Sequence, residues 1–344
     1  MIRVLVYGCL FLFCISSCHS FDSASSNAKP IRFERFDLDM ETFDLKNFES
    51  SDEKMHKKYG DLYTFYIENI MGLGAQKDKK NPQYYDKVLP EFLNGEYKAL
   101  MDSFRKGIFD RIPQYEQELG NSYAALQKEF PEKKPSVIYS FFISPVSQNF
   151  NAAFSFGIDT IGINWFNYMG ENFSFYQGVY EGYTYMIKWN NPEYLVRNVM
   201  LVEYNLIREK FSPKEKSDEL IYHMIEEGKK FYFLDKVCLE TKDWTKIGYN
   251  EAQFKWCKDN ELEVWGYFTS NKLLNSIETM DAKRYTADGP TTGGMPSESP
   301  GNIGSWIGWQ IVKAYANKTN KSLKEILTTS PKEILAKASY KPKK

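Results

Sequence analysis

The chain has none of the short motifs that mark the commonest catalytic folds. It carries no nucleophile elbow, no P-loop and no dinucleotide-binding fingerprint. Charge of one sign is missing too: 44 Lys and Arg balance 45 Asp and Glu for a net charge of −1, and the signs are interspersed. No basic tract exceeds the KPKK tail, which excludes nucleic acid as a partner. Internal repeats are absent. So is any apolar run long enough to span a bilayer, since the longest early one, Val4 to Phe13, is too short. Cysteine is scarce: three of the five, Cys9, Cys14 and Cys18, lie within the first eighteen residues, leaving Cys238 and Cys257 for the rest.

What is present begins with MIRVLVYGCLFLFCISSC. Arg3 supplies a positive start, Val4–Phe13 a short apolar stretch, and Ile15-Ser16-Ser17-Cys18 resembles a bacterial lipobox. Residues 1–17 then form a lipoprotein signal peptide, and the Cys18 thiol carries the lipid that gives membrane affinity. The plainer alternative is a secretory signal with an incidental cysteine. Residues 18–30 are small, polar and aperiodic, which predicts a flexible tether, and residues 31–344 form one domain.

Aromatic residues are abundant in the chain (25 Phe, 24 Tyr, 7 Trp), enough apolar area for a large core. Helical spacing predicts hairpins from Lys46 to Phe130, with helices over Tyr84–Ile108 and Ile112–Phe130. Three β-branched and aromatic runs, Val137–Ser144, Ala153–Asp159 and Thr160–Phe166, predict one small sheet. Helices resume at Pro192. Ser212-Pro213-Lys214-Glu215 reads as a capping box opening a helix to about Leu234. Another long helix is expected over Asn250–Ser276, and a loop rich in glycine and proline over Asp288–Gly301. Gly304 and Gly308, four residues apart in the helix that follows, would let another element approach closely. The fold class is α+β, mainly helical, with a small sheet. Cys238 and Cys257 are a candidate disulfide of an exported protein, worth about 3 kcal/mol, although both sit in helical stretches whose geometry could forbid it. Trp256, Trp265, Trp306 and Trp309 could line a ligand groove or be ordinary core.

Two carboxylates break the pattern. Between Pro192 and Phe211, Leu195, Val199, Val202, Leu206 and Ile207 form an apolar stripe, and Glu203 falls inside it. In the next helix Glu227 lies between Met224 and Phe231, with His223 one turn before it, while Glu226 points to the polar side. A carboxylate on a buried face is costly unless paired, protonated or metal-bound. Tyrosine hydroxyls or a cation in a wet core would satisfy both acids. A metal or catalytic site is the sharper alternative, and so is a hydrolase using the carboxylates directly.

The helix–turn–helix order, with Glu227-Gly228 on the second helix and a Gly-x-x-x-Gly helix later, resembles the core of zincin-like peptidases. Those use H-E-x-x-H on the first helix as two zinc ligands and a base. Here the segment is Val202-Glu203-Tyr204-Asn205-Leu206, and valine and leucine cannot hold zinc. The resemblance therefore implies a vestigial site of Glu203, Glu227 and His223, with no metal, no cofactor and no catalytic residue. The alternative it leaves is a zinc-dependent metallopeptidase with atypical ligands.

A closer similarity rests on FDLD (Phe36–Asp39), EEGKKFYFLD (Glu226–Asp235), IGYNEAQFKWCKDNELEVWGYF (Ile247–Phe268) and SPGNIGSWIGWQIVKAY (Ser299–Tyr315). With the lipobox, these blocks resemble the gliding-motility lipoproteins of the GldB kind from Bacteroidetes. The resemblance implies a cell-envelope protein anchored by lipid on the periplasmic face of the inner or outer membrane. It further implies association with gliding motility and type IX protein secretion, and partners among other envelope, secretion or motility proteins.

Overall fold

The computed structural model describes residues 28–71, 87, 89–143, 152–180, 184–211 and 217–342. Cys18, and with it the lipobox expectation, lies outside them. The chain enters through strand β1 (Phe33–Glu34) and helix α1 (Phe36–Glu41), followed by α2 (Phe48–Tyr59) and α3 (Asp61–Phe65). The helix expected over Tyr84–Ile108 is continuous through its described stretch but widens to π-helical pitch in the middle. Its described part runs as α4 (Leu89–Glu91), a π-turn (Phe92–Tyr97) and α5 (Lys98–Gly107). Asn94-Gly95 falls in the π-turn, and both residues are poor helix formers. Helix α6 (Ile112–Glu129) carries Pro113 in its first turn, where the missing N–H costs nothing.

Strands β2 (Val137–Phe141), β3 (Ala153–Ser155) and β4 (Thr160–Asn164) are the cores of the three expected runs. They join β1 in a four-stranded sheet of order β1-β2-β4-β3. The first two pairings are parallel and the edge strand β3 is antiparallel to β4. The register sets Ile138 beside Ile161 and Ser140 beside Ile163, all fully buried. Two residues are too few for a periodic signal, which is why β1 escaped prediction.

Helix α7 (Phe175–Val179) leads to α8 (Leu195–Phe211), which packs on β3, β4 and α6. The next helix, α9, spans Leu220–Val237, so it starts later than the capping-box expectation, whose residues 212–215 lie outside the described ones. After α10 (Asp243–Ile247), the long helix expected from Asn250 to Ser276 divides into α11 (Glu251–Asp259) and α12 (Glu261–Ser270). Asn250 and Gln253 form a capping box at its start. Asn260 causes the break: its Nδ2 donates back to the Trp256 carbonyl at 2.8 Å, a local bond that competes with the helix. The chain finishes with α13 (Thr279–Thr286), α14 (Ile303–Thr319), α15 (Leu323–Thr328) and α16 (Pro331–Ala338).

The most extensive helix contact is α9 on α14. Gly228 and Gly308 face each other there. A Cβ on Gly308 would lie 1.7 Å from the Met224 carbonyl oxygen, and one on Gly228 would lie 2.3 Å from the Gly308 carbonyl carbon. The backbones touch because neither residue has a side chain. Two of the four tryptophans are core, and Trp256 and Trp265 are half-buried against it. Trp309 is fully buried, and Trp306 stacks on Phe254 with centroids 6.0 Å apart.

Cys238 and Cys257 are not bridged; both are free and buried, which corrects the disulfide expectation. Burial pushes the Cys238 thiol up to about 12 and raises Cys257 as well. Neither is a ready thiolate at neutral pH. Native protein treated with a maleimide is expected to label at these two positions only slowly, and completely after denaturation. Immediate labelling of either would show that its site is open.

Candidate functional site

Helix α8 places Glu203 against the sheet side of the core, and the carboxylate is fully buried. Its Oε1 accepts from Tyr123 Oη at 2.6 Å and from Ser136 Oγ at 2.5 Å. Its Oε2 lies 3.0 Å from Lys133 Nζ, an ion pair whose angles do not make a regular hydrogen bond. Lys133 also reaches Asp159 at 2.5 Å. Burial by itself would lower the Lys133 ammonium, but the bond to Asp159 and the charge of Glu203 outweigh it and hold the group raised. The Tyr123 hydroxyl is held well above its ordinary range, by burial first and by Glu203 second. Every partner comes from outside α8: Tyr123 from α6, Lys133 and Ser136 from the segment between α6 and β2.

Glu227 does not join it. That carboxylate is half-buried and ion-paired to Lys230 on its own helix. His223 is half-buried, one turn away. The vestigial site expected of Glu203, Glu227 and His223 is therefore not assembled around shared partners: Glu203 is held by Tyr123, Ser136 and Lys133, and Glu227 by Lys230. The reason lies in α9, which is apolar nearly all round: Ile221, Tyr222, Ile225 and Tyr232 are buried as well as Met224 and Phe231, so no single stripe fixes a direction.

The acid of α9 that reaches inward is Glu226. It bonds Arg208 of α8 at 2.8 Å and the buried Lys229 at 2.7 Å. Lys229 Nζ also donates to the carbonyls of Thr329 at 2.7 Å and Leu327 at 3.3 Å, satisfying the end of α15. Burial lowers its ammonium despite Glu226. Sequence periodicity missed Lys229, since lysine is almost never fully buried unless paired. Asp37 was missed as well. Fully buried, it accepts from Arg35 Nε at 2.9 Å and from Ser140 Oγ, so FDLD is a structural motif. Among the described residues, no three His, Cys, Asp or Glu side chains gather as a metal ion would require.

Beside the buried acid lies a cleft of about 290 Å³ between α8 and edge strand β3. Ala153, Leu201 and Val202 give it apolar walls, while Arg197, Asn198 and Asp288 supply polar groups. Val202 and Asn205, which flank Glu203 in the zincin-like segment, face this cleft; Glu203 does not line it.

The family of the gliding motility protein GldB matches residues 19–342, nearly the whole chain. The chain belongs to that family. As a GldB-family member it is a lipoprotein of the cell envelope associated with gliding motility. No curated protein and no solved structure matches the chain, so the resemblance to zincin-like peptidases rests on sequence alone. Among the described residues no helix is long and apolar enough to cross a membrane.

The GldB-like blocks have a physical meaning in the fold. EEGKKFYFLD is most of α9, and SPGNIGSWIGWQIVKAY leads into and fills α14, so these two blocks form the glycine contact. Asp235 ties them together. Its Oδ2 accepts from Trp309 Nε1 at 2.8 Å and lies 3.2 Å from Lys313 Nζ, and its Oδ1 lies 3.1 Å from the buried Lys246. Burial opposes the Lys246 charge, but Asp235 and Asp243 hold it raised.

Proposed function

We propose that this GldB-family chain is a non-enzymatic scaffold or binding module, a degenerate zincin-like domain held at an envelope membrane. Residues 1–17 are its signal, Cys18 its lipid anchor and residues 18–30 its tether. The observation that carries the reading is the state of Glu203. A catalytic glutamate must face a water or a substrate, whereas this one is fully buried and engaged by Tyr123, Ser136 and Lys133. Val202 and Leu206 stand where the imidazoles of H-E-x-x-H would be. The domain serves gliding motility and type IX secretion by contact with other envelope proteins, which agrees with an aromatic core and fixed ion pairs in place of an open catalytic centre.

Two measurements test this. In cells, wild-type protein should incorporate a lipid precursor and sediment with membranes, and Cys18→Ala should do neither. Equal labelling of the variant would remove the anchor. Protein purified without chelator and dialysed should hold well under one zinc per chain and leave a peptide library intact. Stoichiometric zinc with cleavage lost in Glu203→Gln would establish the metallopeptidase alternative.

A further inference from the structure

The cleft beside β3 has an unusual electrostatic feature. Of the arginines among the described residues, Arg32, Arg35, Arg105, Arg208 and Arg284 each have a carboxylate partner. Arg111 is exposed. Arg197 is half-buried and has no carboxylate within ion-pair distance. Its Nε donates to the Lys246 carbonyl at 2.9 Å, and its Nη1 to Asn198 Oδ1 at 2.9 Å. The Tyr194 ring lies 5.7 Å from the guanidinium carbon. Asn198 is fixed in turn by a bond to Tyr168 Oη at 3.2 Å. The guanidinium is thus rigid and oriented, and Nη2 is left without a protein partner in a cleft that this residue lines.

A half-buried cation is costly unless an anion meets it. Burial lowers Arg197 against the opposing charge of Asp288. Among the described residues the one acid lining the cleft is Asp288, which is exposed and accepts from Asn302 Nδ2 at 3.2 Å; its charge acts on Arg197 but it forms no ion pair with it. Of the other described lining residues, Ala153, Leu201 and Val202 are apolar and Asn205 adds an amide, and the volume of about 290 Å³ is just under the roughly 300–1,000 Å³ typical of ligand sites.

We propose that this cleft binds an organic carboxylate, whose head pairs with Arg197 Nη2 and whose apolar body lies against Ala153, Leu201 and Val202. The carboxylate could be a peptide chain end or a free short acid; the chemistry at Arg197 is shared. The inference rests on the binding-module reading and supplies its ligand class. Charge-assisted bonds from an orienting arginine are roughly twice as strong as neutral ones, and a preorganised fork loses little entropy on binding.

Titration calorimetry with the full-length protein in detergent tests it, using acetyl-Ala-Ala-Leu as free acid and as C-terminal amide, and 4-methylpentanoate beside its amide. Each acid is expected to bind at least about tenfold more tightly than its amide. Binding of the peptide acid alone assigns the site to chain ends; binding of both acids assigns it to the carboxylate head. Arg197→Gln should abolish the acid–amide difference. Should that variant fold poorly, two others decide. Val202→Phe should block both acids by filling the apolar wall, and the exposed Asp288→Asn should tighten them about twofold by removing a like charge. Equal binding of acid and amide, no binding of any probe, or weaker acid binding in Asp288→Asn would overturn the proposal. The peptide recovered after titration is weighed by mass spectrometry. Hydrolysis would defeat the non-enzymatic reading while leaving the carboxylate site standing, so the two failures are distinguishable.

Discussion

Gly308→Ala is expected to destabilise the protein by at least about 4 kcal/mol, a fall of roughly 6 °C in melting temperature for a chain of this size. Overpacking in ordinary cores costs typically 1–3 kcal/mol because flexible side chains yield. Here the obstacle is backbone: the new Cβ would lie 1.7 Å from the Met224 carbonyl oxygen, and the only relief is to separate α9 from α14. That separation would also pull Trp309 and Lys313 away from Asp235. Gly228→Ala meets the backbone of α14 across the same contact and should behave alike. Gly266→Ala in α12 is the control, since its Cβ would meet nothing within 4 Å. Alanine there should stabilise by about 0.5–1 kcal/mol through helix propensity. Thermal unfolding of the three variants checks the claim, and a Gly308→Ala protein melting within 3 °C of wild type would show that the helices are not in backbone contact.

Lys133→Met should cost about 3–5 kcal/mol, more than the change at the acid itself. Removing the ammonium strands a fully buried carboxylate with two hydroxyl donors and no cation. Glu203→Gln, by contrast, keeps an oxygen to accept from Tyr123 and Ser136, leaves Lys133 paired with Asp159, and should cost about 1–2 kcal/mol. The two changes together should be milder than Lys133→Met alone, because the stranded charge is gone. Denaturant unfolding of the single and double variants gives the coupling directly. Strict additivity would mean that the 3.0 Å contact carries no energy. The cycle also bears on function, since a glutamate coupled to a lysine this way is a structural acid.

The signals that survived from sequence to structure were local ones. The stripe from Leu195 to Ile207 named its own exception, Glu203, because three and a half turns of α8 repeat one pattern. Gly304 and Gly308 announced a close helix contact by spacing alone. What failed was whatever needed a partner far along the chain. Nothing near Glu203 predicts Lys133, seventy residues earlier, and Arg197 and Asp288 meet in one cleft only after the chain has run through five intervening helices. Glu227 was misjudged for another reason. In α9 the apolar residues encircle the helix, so spacing cannot separate Glu226, which bridges to Arg208 and Lys229, from its solvent-side neighbour. The blocks shared with the GldB family found the chain's relatives without revealing that they pack on one another.

The point where the chain enters the fold also sets how far the domain can stray from its anchor. Gln117 of α6 donates to the Ala28 carbonyl at 2.8 Å, and Ile31 N–H donates to the Glu116 carbonyl at 2.9 Å, so the first described residues are fastened along α6. With Cys18 as the lipid attachment, ten peptide units separate the bilayer from that fastening. At about 3.3–3.6 Å per residue, their greatest reach is roughly 35 Å, whatever shape they take. The domain is therefore on a short leash. With that attachment, the point where the chain joins α6 stays within about 35 Å of the headgroups, so the domain meets its envelope partners from close to the membrane.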